Sequence, residues 1–135
     1  MYTHTSQVRV RYGETDQMGY VYYGNYASYF EVARVEALRD LGMSYRELEE
    51  AGIMMPVLEN HSYYHLPAVY DDLLSIKVTL PDLPGVKITF QYEICNEAGK
   101  LVHSGETKLA FIKADSKRPC RPPQKMLQLL APFYQ

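Results

Sequence analysis

The residues best suited to chemistry in this 135-residue sequence lie in one stretch, from Tyr12 to Tyr26. Asp16 carries a carboxylate, Gly19 and Gly24 permit tight turns, and Asn25 is predicted to cap a following helix. The first turn of a helix offers unpaired N–H groups and partial positive charge, which stabilise a carbonyl oxygen or an anion. An acid beside such a helix start predicts acyl chemistry.

Other acids near this stretch compete for the catalytic role. An isolated turn aspartate often bonds its own backbone, which is the ordinary alternative for Asp16. Glu14 is interpreted as a solvated acid. Glu31 and Arg34 lie three residues apart and are predicted to pair on a helix surface. Glu36 is then the next acid to test if Asp16 proves dispensable.

Two helices follow the turn. From Asn25 to about Leu41 apolar residues recur at helical spacing, and Gly42 is a typical terminating residue. The apolar surface is wide, so this helix is expected to be covered nearly all round. Residues 44–52 predict a short second helix, with Ser44 as its cap and Glu47 completing a capping box.

The remaining pattern is that of strands separated by turns. Alternating apolar and polar residues predict strands over 5–12, 74–80 and 86–95. Two more strands are predicted over 53–64, where the helical period ends, and over 100–113, after a hairpin turn, with a helix turn over 123–130. Strands joined by short turns pair antiparallel. The predicted fold is α+β: a single domain, residues 1–135, in which a curved five-stranded antiparallel sheet wraps around one long central helix. Apolar residues on the other sheet face favour an oligomer.

Composition excludes several classes of function. The net charge is −2 with no basic stripe, so nucleic acid is a poor candidate partner. No apolar run suits a signal peptide or a membrane span, and the protein is expected to be cytoplasmic. Cys95 and Cys120 lie far apart, outside any metal-binding spacing, and are predicted to be ordinary free thiols. Thirteen tyrosines without tryptophan indicate interfaces or pocket walls.

The histidines have no clear metal-binding pattern. Strand spacing puts His61, Tyr63 and His65 on one face, but no carboxylate or cysteine completes a metal set. Lining of a substrate pocket, reaching across a dimer, is the preferred interpretation of His61. His103 and His4 give no functional signal.

Three motifs between residues 5 and 115 resemble, in order, those of the hotdog-fold acyl-CoA thioesterases of the 4-hydroxybenzoyl-CoA thioesterase type. The first is the most specific. The motifs are Asp16-Gln-Met-Gly19-Tyr-Val-Tyr-Tyr23-Gly-Asn25-Tyr26, then Phe30-Glu31-Val-Ala33-Arg34 with Glu36, and Pro67-Ala-Val-Tyr70-Asp71-Asp72.

The resemblance implies hydrolysis of acyl-CoA thioesters without metal or cofactor. It also implies a dimer that joins two sheets edge to edge, often paired again into a homotetramer. The family's catalytic aspartate falls on Asp16. Tyr23 occupies the position before the helix that is often histidine, and backbone N–H groups near Tyr23 and Gly24 would hold the thioester carbonyl.

Substrate contacts are expected around the same stretch. Gly19 and Tyr26 belong to the matching motif, and Tyr26 would line an acyl pocket, although core packing explains an aromatic helix residue equally well. Because CoA carries phosphates, basic residues are expected at the pocket mouth. Lys87 and Lys113 are candidates from their positions at strand ends, with an ordinary charged surface as the alternative.

Two other functions remain open on the sequence. A hotdog hydratase or dehydratase needs a histidine near the helix with a carboxylate partner, and Tyr23 stands where that histidine would help. A non-catalytic acyl-thioester-binding module is the other, since the same fold binds ligands without reacting.

Overall fold

A computed structural model describes all residues, 1–135, and contains seven strands and three α-helices. In chain order these are β1 (Tyr2–Arg9), α1 (Asn25–Leu41), α2 (Tyr45–Glu50), β2 (Ile53–Met54), β3 (Val57–Tyr64), β4 (Leu73–Leu80), β5 (Lys87–Cys95), β6 (Leu101–Ala110), β7 (Ile112–Lys113) and α3 (Gln124–Leu130). Short 3-10 helices span Tyr12–Glu14 and Ala131–Tyr134.

Five strands form one antiparallel sheet in the order β1-β4-β5-β6-β3, and β2 pairs with β7 in a small second sheet. The central strands carry the alternation that predicted them, since Leu74, Ile76 and Val78 of β4 are fully buried while Lys77 is exposed. The predicted strands over 53–64 and 100–113 are each interrupted, near Pro56 and at Phe111.

Helix α1 has the predicted bounds and packs against the sheet. It ends where Gly42 adopts a φ of 109° and donates its N–H to the carbonyls of Leu38 and Arg39. Phe30 lies directly on Gly105 of β6, where an added Cβ would come within 2.6 Å of the Phe30 ring. This close approach fixes the distance between the helix and the sheet.

One side of α1 is open, so the expectation of nearly complete coverage is wrong for the single chain. Glu31 and Val32 are exposed, and the helix contacts β1 and β4 far more than β3. A cleft therefore runs between α1 and the edge strand β3. On this side α1 is open to solvent.

Helix α2 has the predicted cap but not the predicted capping box. The Ser44 side chain accepts the N–H of Glu47 at 3.2 Å, as expected. The Glu47 carboxylate pairs with Lys125 at 2.7 Å instead of returning to the cap. The terminal helix predicted over 123–130 is confirmed as α3. None of the helices is both long enough and apolar enough to cross a membrane.

Candidate active site

The turn around Asp16 holds one carboxylate oxygen and leaves the other free. Oδ1 accepts the N–H groups of Met18 at 2.9 Å and Tyr20 at 3.2 Å. Gly19 closes the turn with a φ of 83° and donates its N–H to the Asp16 carbonyl at 2.9 Å. Oδ2 has no hydrogen-bond partner in the chain. The carboxylate is therefore oriented by its own turn and keeps one oxygen available.

Asp16 lies at the boundary of two cavities. The first has a volume of about 340 Å³ and a mostly apolar lining: Asp16, Met18, Tyr20, Val21, Tyr23, Tyr26, Tyr64, His65, Leu66 and Pro67. The second is a wider groove of about 790 Å³ that also includes Gly19 and the exposed rings of Tyr12 and Tyr70. An acid between an apolar cavity and an open groove is placed to meet a ligand that extends into both.

The start of α1 presents two unpaired backbone donors. Gly24 caps the helix, and no side chain caps it, so the prediction that Asn25 is the cap is wrong. The amides of Tyr23 and Gly24 donate no hydrogen bond within the chain. Because they stand at the positive end of a 17-residue helix, they are suited to bind a negatively polarised oxygen.

Glu14 organises this region, and its interpretation as a solvated acid is wrong. Its carboxylate accepts the N–H of Arg11 at 2.9 Å and the phenol of Tyr29 at 3.0 Å. Its backbone carbonyl accepts the N–H of Tyr22 and the side-chain amide of Asn25. Burial works to raise the pKa of Glu14, but the hydrogen bonds from Arg11 and Tyr29 and the charge of Arg11 outweigh it and hold the pKa below its ordinary value. Glu14 thus joins the turn to α1.

The inner wall of the first cavity is aromatic. The ring of Tyr26 meets Tyr64 edge-on at 5.8 Å and stacks flat on His103 at 3.8 Å. Burial, with the neighbouring Tyr64 and Asp72, raises the pKa of Tyr26 to about 12, so its phenol stays protonated at neutral pH. The wall therefore offers a neutral aromatic surface.

His103 lies behind this wall and gave no signal in the sequence. It is fully buried, and neither ring nitrogen has a hydrogen-bond partner. Burial, together with the nearby His65, lowers the pKa of His103 from 6.5 to about 4. Its position in β6 next to Tyr64 of β3 follows from strand register, which the sequence does not display.

Several predicted site residues lie away from the cavity. His61 is half-exposed on β3 and bonds Glu59 at 3.0 Å. Lys87 and Lys113 are exposed at the start of β5 and in β7, and neither lines the cavity around Asp16. Glu36 forms a helix-surface pair with Arg39.

The predicted surface pair between Glu31 and Arg34 is wrong. Arg34 is 6% exposed and turns inward, where Nη1 donates to Tyr92 at 3.1 Å and Nε to Tyr45 at 3.3 Å. Burial disfavours its charge, but the two phenol oxygens outweigh that effect and raise the pKa of Arg34. The guanidinium therefore stays charged inside the protein.

No set of three or more histidine, cysteine, aspartate or glutamate side chains is arranged to hold a metal ion. Cys95 and Cys120 are free thiols. The cavity around Asp16 offers a carboxylate, a backbone donor and an aromatic lining.

The family model described as the thioesterase-like superfamily matches residues 10–130, which is most of the chain. The chain belongs to this superfamily. The expected resemblance to hotdog-fold acyl-CoA thioesterases is thereby confirmed, and with it the α+β hotdog fold. The matched range of this thioesterase includes the Asp16 turn, α1 and four of the five strands of the large sheet, and it begins just after β1.

Known proteins resemble this thioesterase along nearly their whole length. The acyl-CoA thioester hydrolase YbgC of Shigella flexneri is 28% identical and matches 89% of this chain and 90% of its own. A DHNA-CoA thioesterase from Staphylococcus aureus is 34% identical, with a TM-score of 0.86 over 99% of this chain and 85% of that one. A 4-hydroxybenzoyl CoA thioesterase shares the fold alone, with a TM-score of 0.84, 21% identity, and coverage of 94% and 97%.

Proposed function

We propose that this thioesterase hydrolyses acyl-CoA to a free acid and CoA, with Asp16 as nucleophile or general base. The amides of Tyr23 and Gly24 form the oxyanion hole in this proposal. The observation that carries it is that Asp16, with a free carboxylate oxygen, and Tyr23, with an unpaired amide, line one cavity, while the amide of the next residue, Gly24, is also unpaired. A thioester carbonyl needs both a group that attacks or activates water and donors for the oxygen that becomes negative.

Two routes fit this arrangement. In the first, Asp16 attacks the carbonyl carbon, the CoA thiolate leaves, and water hydrolyses the resulting mixed anhydride. In the second, Asp16 takes a proton from a water that attacks directly. The anchored Oδ1 and the free Oδ2 suit either route, because the carboxylate keeps its orientation while one oxygen reacts.

The acyl group is assigned to the apolar cavity and the CoA arm to the open groove. Tyr26 and Tyr64 supply flat aromatic surface in the cavity, which supports an aromatic acyl group. Two of the similar proteins are named for aromatic acyl-CoA substrates. Gly19 borders the groove on the CoA side. Lys87 and Lys113 line neither the groove nor the apolar cavity, so their contact with the CoA phosphates stays a prediction from their strand-end positions.

The working form is proposed to be a cytoplasmic homodimer that pairs again as a homotetramer. Strand β3 is an edge strand with exposed apolar residues, including Val57, Leu58 and Tyr63. Pairing of β3 with a second copy covers them and brings His61 towards the partner. Size determination by light scattering tests this assembly, and a monomer at working concentration overturns it.

Purified protein incubated with short, long and aromatic acyl-CoAs and a thiol-detecting reagent tests the activity. We expect thiol release, fastest with an aromatic acyl group, and loss of release in Asp16→Asn. No release from any substrate overturns the proposal. Single turnover in heavy-oxygen water tests for the first route. Label on Asp16 requires a mixed anhydride opened by attack of water at the Asp16 carbonyl carbon, whereas direct attack of water on the thioester labels only the product acid.

A non-catalytic acyl-thioester-binding function is the second candidate. Its support is the set of hydrogen bonds that Asp16 makes within its own turn, as a structural turn residue does. Tight binding of acyl-CoA without thiol release, with equal affinity in Asp16→Asn, favours this candidate over hydrolysis. An enoyl-CoA included in the panel tests hydration by the loss of its conjugated absorbance.

A further inference from the structure

The two amides assigned to the oxyanion hole lie in the middle of a four-residue turn. The N–H of Asn25 donates to the carbonyl of Tyr22 at 2.9 Å, which closes the turn around Tyr23 and Gly24. In a turn closed this way, the N–H groups of the two central residues have no partner inside the turn. The turn therefore leaves both amides free, and whatever holds its two ends also fixes where the amides lie.

One oxygen holds both ends of this turn. The carbonyl of Glu14 accepts the N–H of Tyr22 at 2.9 Å and the side-chain amide of Asn25 at 2.8 Å. A carbonyl oxygen has two lone pairs, so it can accept both donors. Asn25 does not cap the helix, and its side chain makes no other hydrogen bond in the chain. The Asn25 side chain thus ties the start of α1 to Glu14.

Glu14 is attached to the helix at a second point. Its carboxylate oxygen Oε1 accepts the phenol of Tyr29 at 3.0 Å, and Tyr29 is 3% exposed. Asn25 and Tyr29 are four residues apart and therefore lie on one face of α1. Two bonds one helical turn apart fix both the position and the direction of α1 against Glu14. All of these bonds are made within one chain, so they are present whether or not a second copy covers β3.

The same short segment carries Asp16. Residues 14–16 run antiparallel to residues 20–22. At one end of this pairing the N–H of Asp16 donates to the Tyr20 carbonyl at 2.8 Å, and at the other end the Glu14 carbonyl holds the turn with the free amides. Glu14 therefore connects the carboxylate of Asp16 to the start of α1.

We propose that Asn25 and Glu14 are positioning residues, which set the distance between the Asp16 carboxylate and the amides of the oxyanion hole. This role rests on the proposed hydrolysis, in which both groups act on one thioester carbonyl. None of Glu14, Asn25 and Tyr29 lines either cavity at Asp16. These side chains are therefore expected to change the rate of the reaction through the groups that they hold, and not through contact with the substrate.

Replacement of Asn25 tests this role. Asn25→Ala removes the side-chain bond to Glu14 and introduces a residue that favours the helix. We expect kcat for acyl-CoA hydrolysis to fall at least about tenfold, because the loss of one oxyanion donor costs roughly 100-fold or more. KM is expected to stay within about threefold, since the cavities keep their lining. Thiol release by the folded variant measures both constants.

Asn96→Ala is the matched control. Asn96 lies in the turn between β5 and β6, outside both cavities at Asp16, and its side chain accepts the N–H groups of Ala98 and Lys100 at 3.0 Å. This variant therefore also removes hydrogen bonds between an asparagine side chain and the backbone. We expect kcat as in the unaltered chain. Equal kcat in Asn25→Ala and Asn96→Ala overturns the proposal.

Glu14→Gln separates hydrogen bonding from charge. Oε1 of Glu14 accepts both the N–H of Arg11 and the phenol of Tyr29, and a glutamine carbonyl oxygen can take the same place. We expect kcat within about threefold of the unaltered chain in Glu14→Gln and a fall of at least about tenfold in Glu14→Ala. An equal fall in both variants assigns the effect to the carboxylate charge and overturns the positioning role of Glu14. If Glu14→Ala does not fold, the Asn25 comparison decides.

Hydrogen exchange of the Tyr22 amide separates this role from the proposed hydrolysis. The amide bonds the Glu14 carbonyl, and NMR measures its exchange without substrate. We expect exchange at least about tenfold faster in Asn25→Ala and unchanged in Asn96→Ala. Unchanged exchange in Asn25→Ala overturns the positioning role even where the chain hydrolyses acyl-CoA. Absence of thiol release by the unaltered chain overturns the hydrolysis, and not the attachment of α1 to Glu14.

Discussion

Polar groups without hydrogen-bond partners occur both in the turn of residues 12–24 and in the interior behind the aromatic wall of the first cavity. Their consequences are opposite. In the turn, Oδ2 of Asp16 and the amide of Tyr23 are unpaired beside an open cavity, and the amide of Gly24 is also unpaired. In the interior, both nitrogens of His103 are unpaired and fully enclosed. Water satisfies the first set at little cost, whereas the second set lowers stability. An unpaired group is available for chemistry only where a ligand can reach it.

The largest effect on stability within the turn is expected at Glu14. Its carboxylate is hydrogen-bonded to other residues, whereas one oxygen of Asp16 has no partner. Glu14→Ala removes the acceptor of the Arg11 amide and leaves the Tyr29 hydroxyl without a partner. We expect a loss of roughly 3 kcal/mol in the free energy of unfolding, measured with urea. Glu97→Ala, at an exposed position, is the control and is expected to be nearly neutral.

A double variant checks the cause of that loss. Tyr29→Phe in the Glu14→Ala background removes the stranded hydroxyl and should recover part of the stability. If Glu14→Ala unfolds at the same urea concentration as Glu97→Ala, Glu14 does not hold the turn on the helix.

The pH dependence of stability tests the buried His103. The pKa of His103 is about 4 in the folded chain and near 6.5 when unfolded, so the unfolded state binds more protons between these values. Stability is therefore complete above about pH 6.5 and falls by about 2–3 kcal/mol as the pH drops towards 4. Urea unfolding across this range measures it, and His103→Phe should flatten the dependence. A dependence that is unchanged in His103→Phe contradicts the assignment.

A smaller effect is expected at the glycine of the Asp16 turn. Gly19 has a φ of 83°, where an L side chain is strained, so Gly19→Ala should lower the free energy of unfolding by about 1 kcal/mol. Gly13→Ala is the matched control, because its added Cβ meets no atom within 4 Å and its φ is not positive. Equal stability of the two variants would show that the turn adjusts freely.

The sequence predicted elements whose evidence is local. The spacing of apolar residues defined α1 with its correct bounds, and alternation defined β4 and β5, because both depend on neighbours within one element. The first strand, predicted over 5–12, spans Tyr2–Arg9. The motif around Asp16 indicated the turn and the helix start for the same reason. The edge position of β3 was not predicted, since pairing between β3 and β6 joins distant segments.

The parts that the sequence did not predict depend on contacts between distant residues. Arg34 suggested a surface pair with Glu31, but its partner Tyr92 lies 58 residues away on β5. His103 gave no signal because its burial comes from Tyr26 on α1 and Tyr64 on β3. The bond between Glu14 and Tyr29 was not predicted either, because the folded helix brings Tyr29 to the Glu14 carboxylate.

The most direct test of the account is turnover by Asp16→Asn beside its stability. The asparagine carbonyl oxygen can still accept the amides of Met18 and Tyr20, so the free energy of unfolding should stay nearly unchanged. We predict a fall in kcat for acyl-CoA hydrolysis of about 100-fold or more, as expected when an essential acid–base or nucleophilic group is removed. Turnover within about threefold of the unaltered chain, well below the usual effect of such a group, would contradict a catalytic role for Asp16.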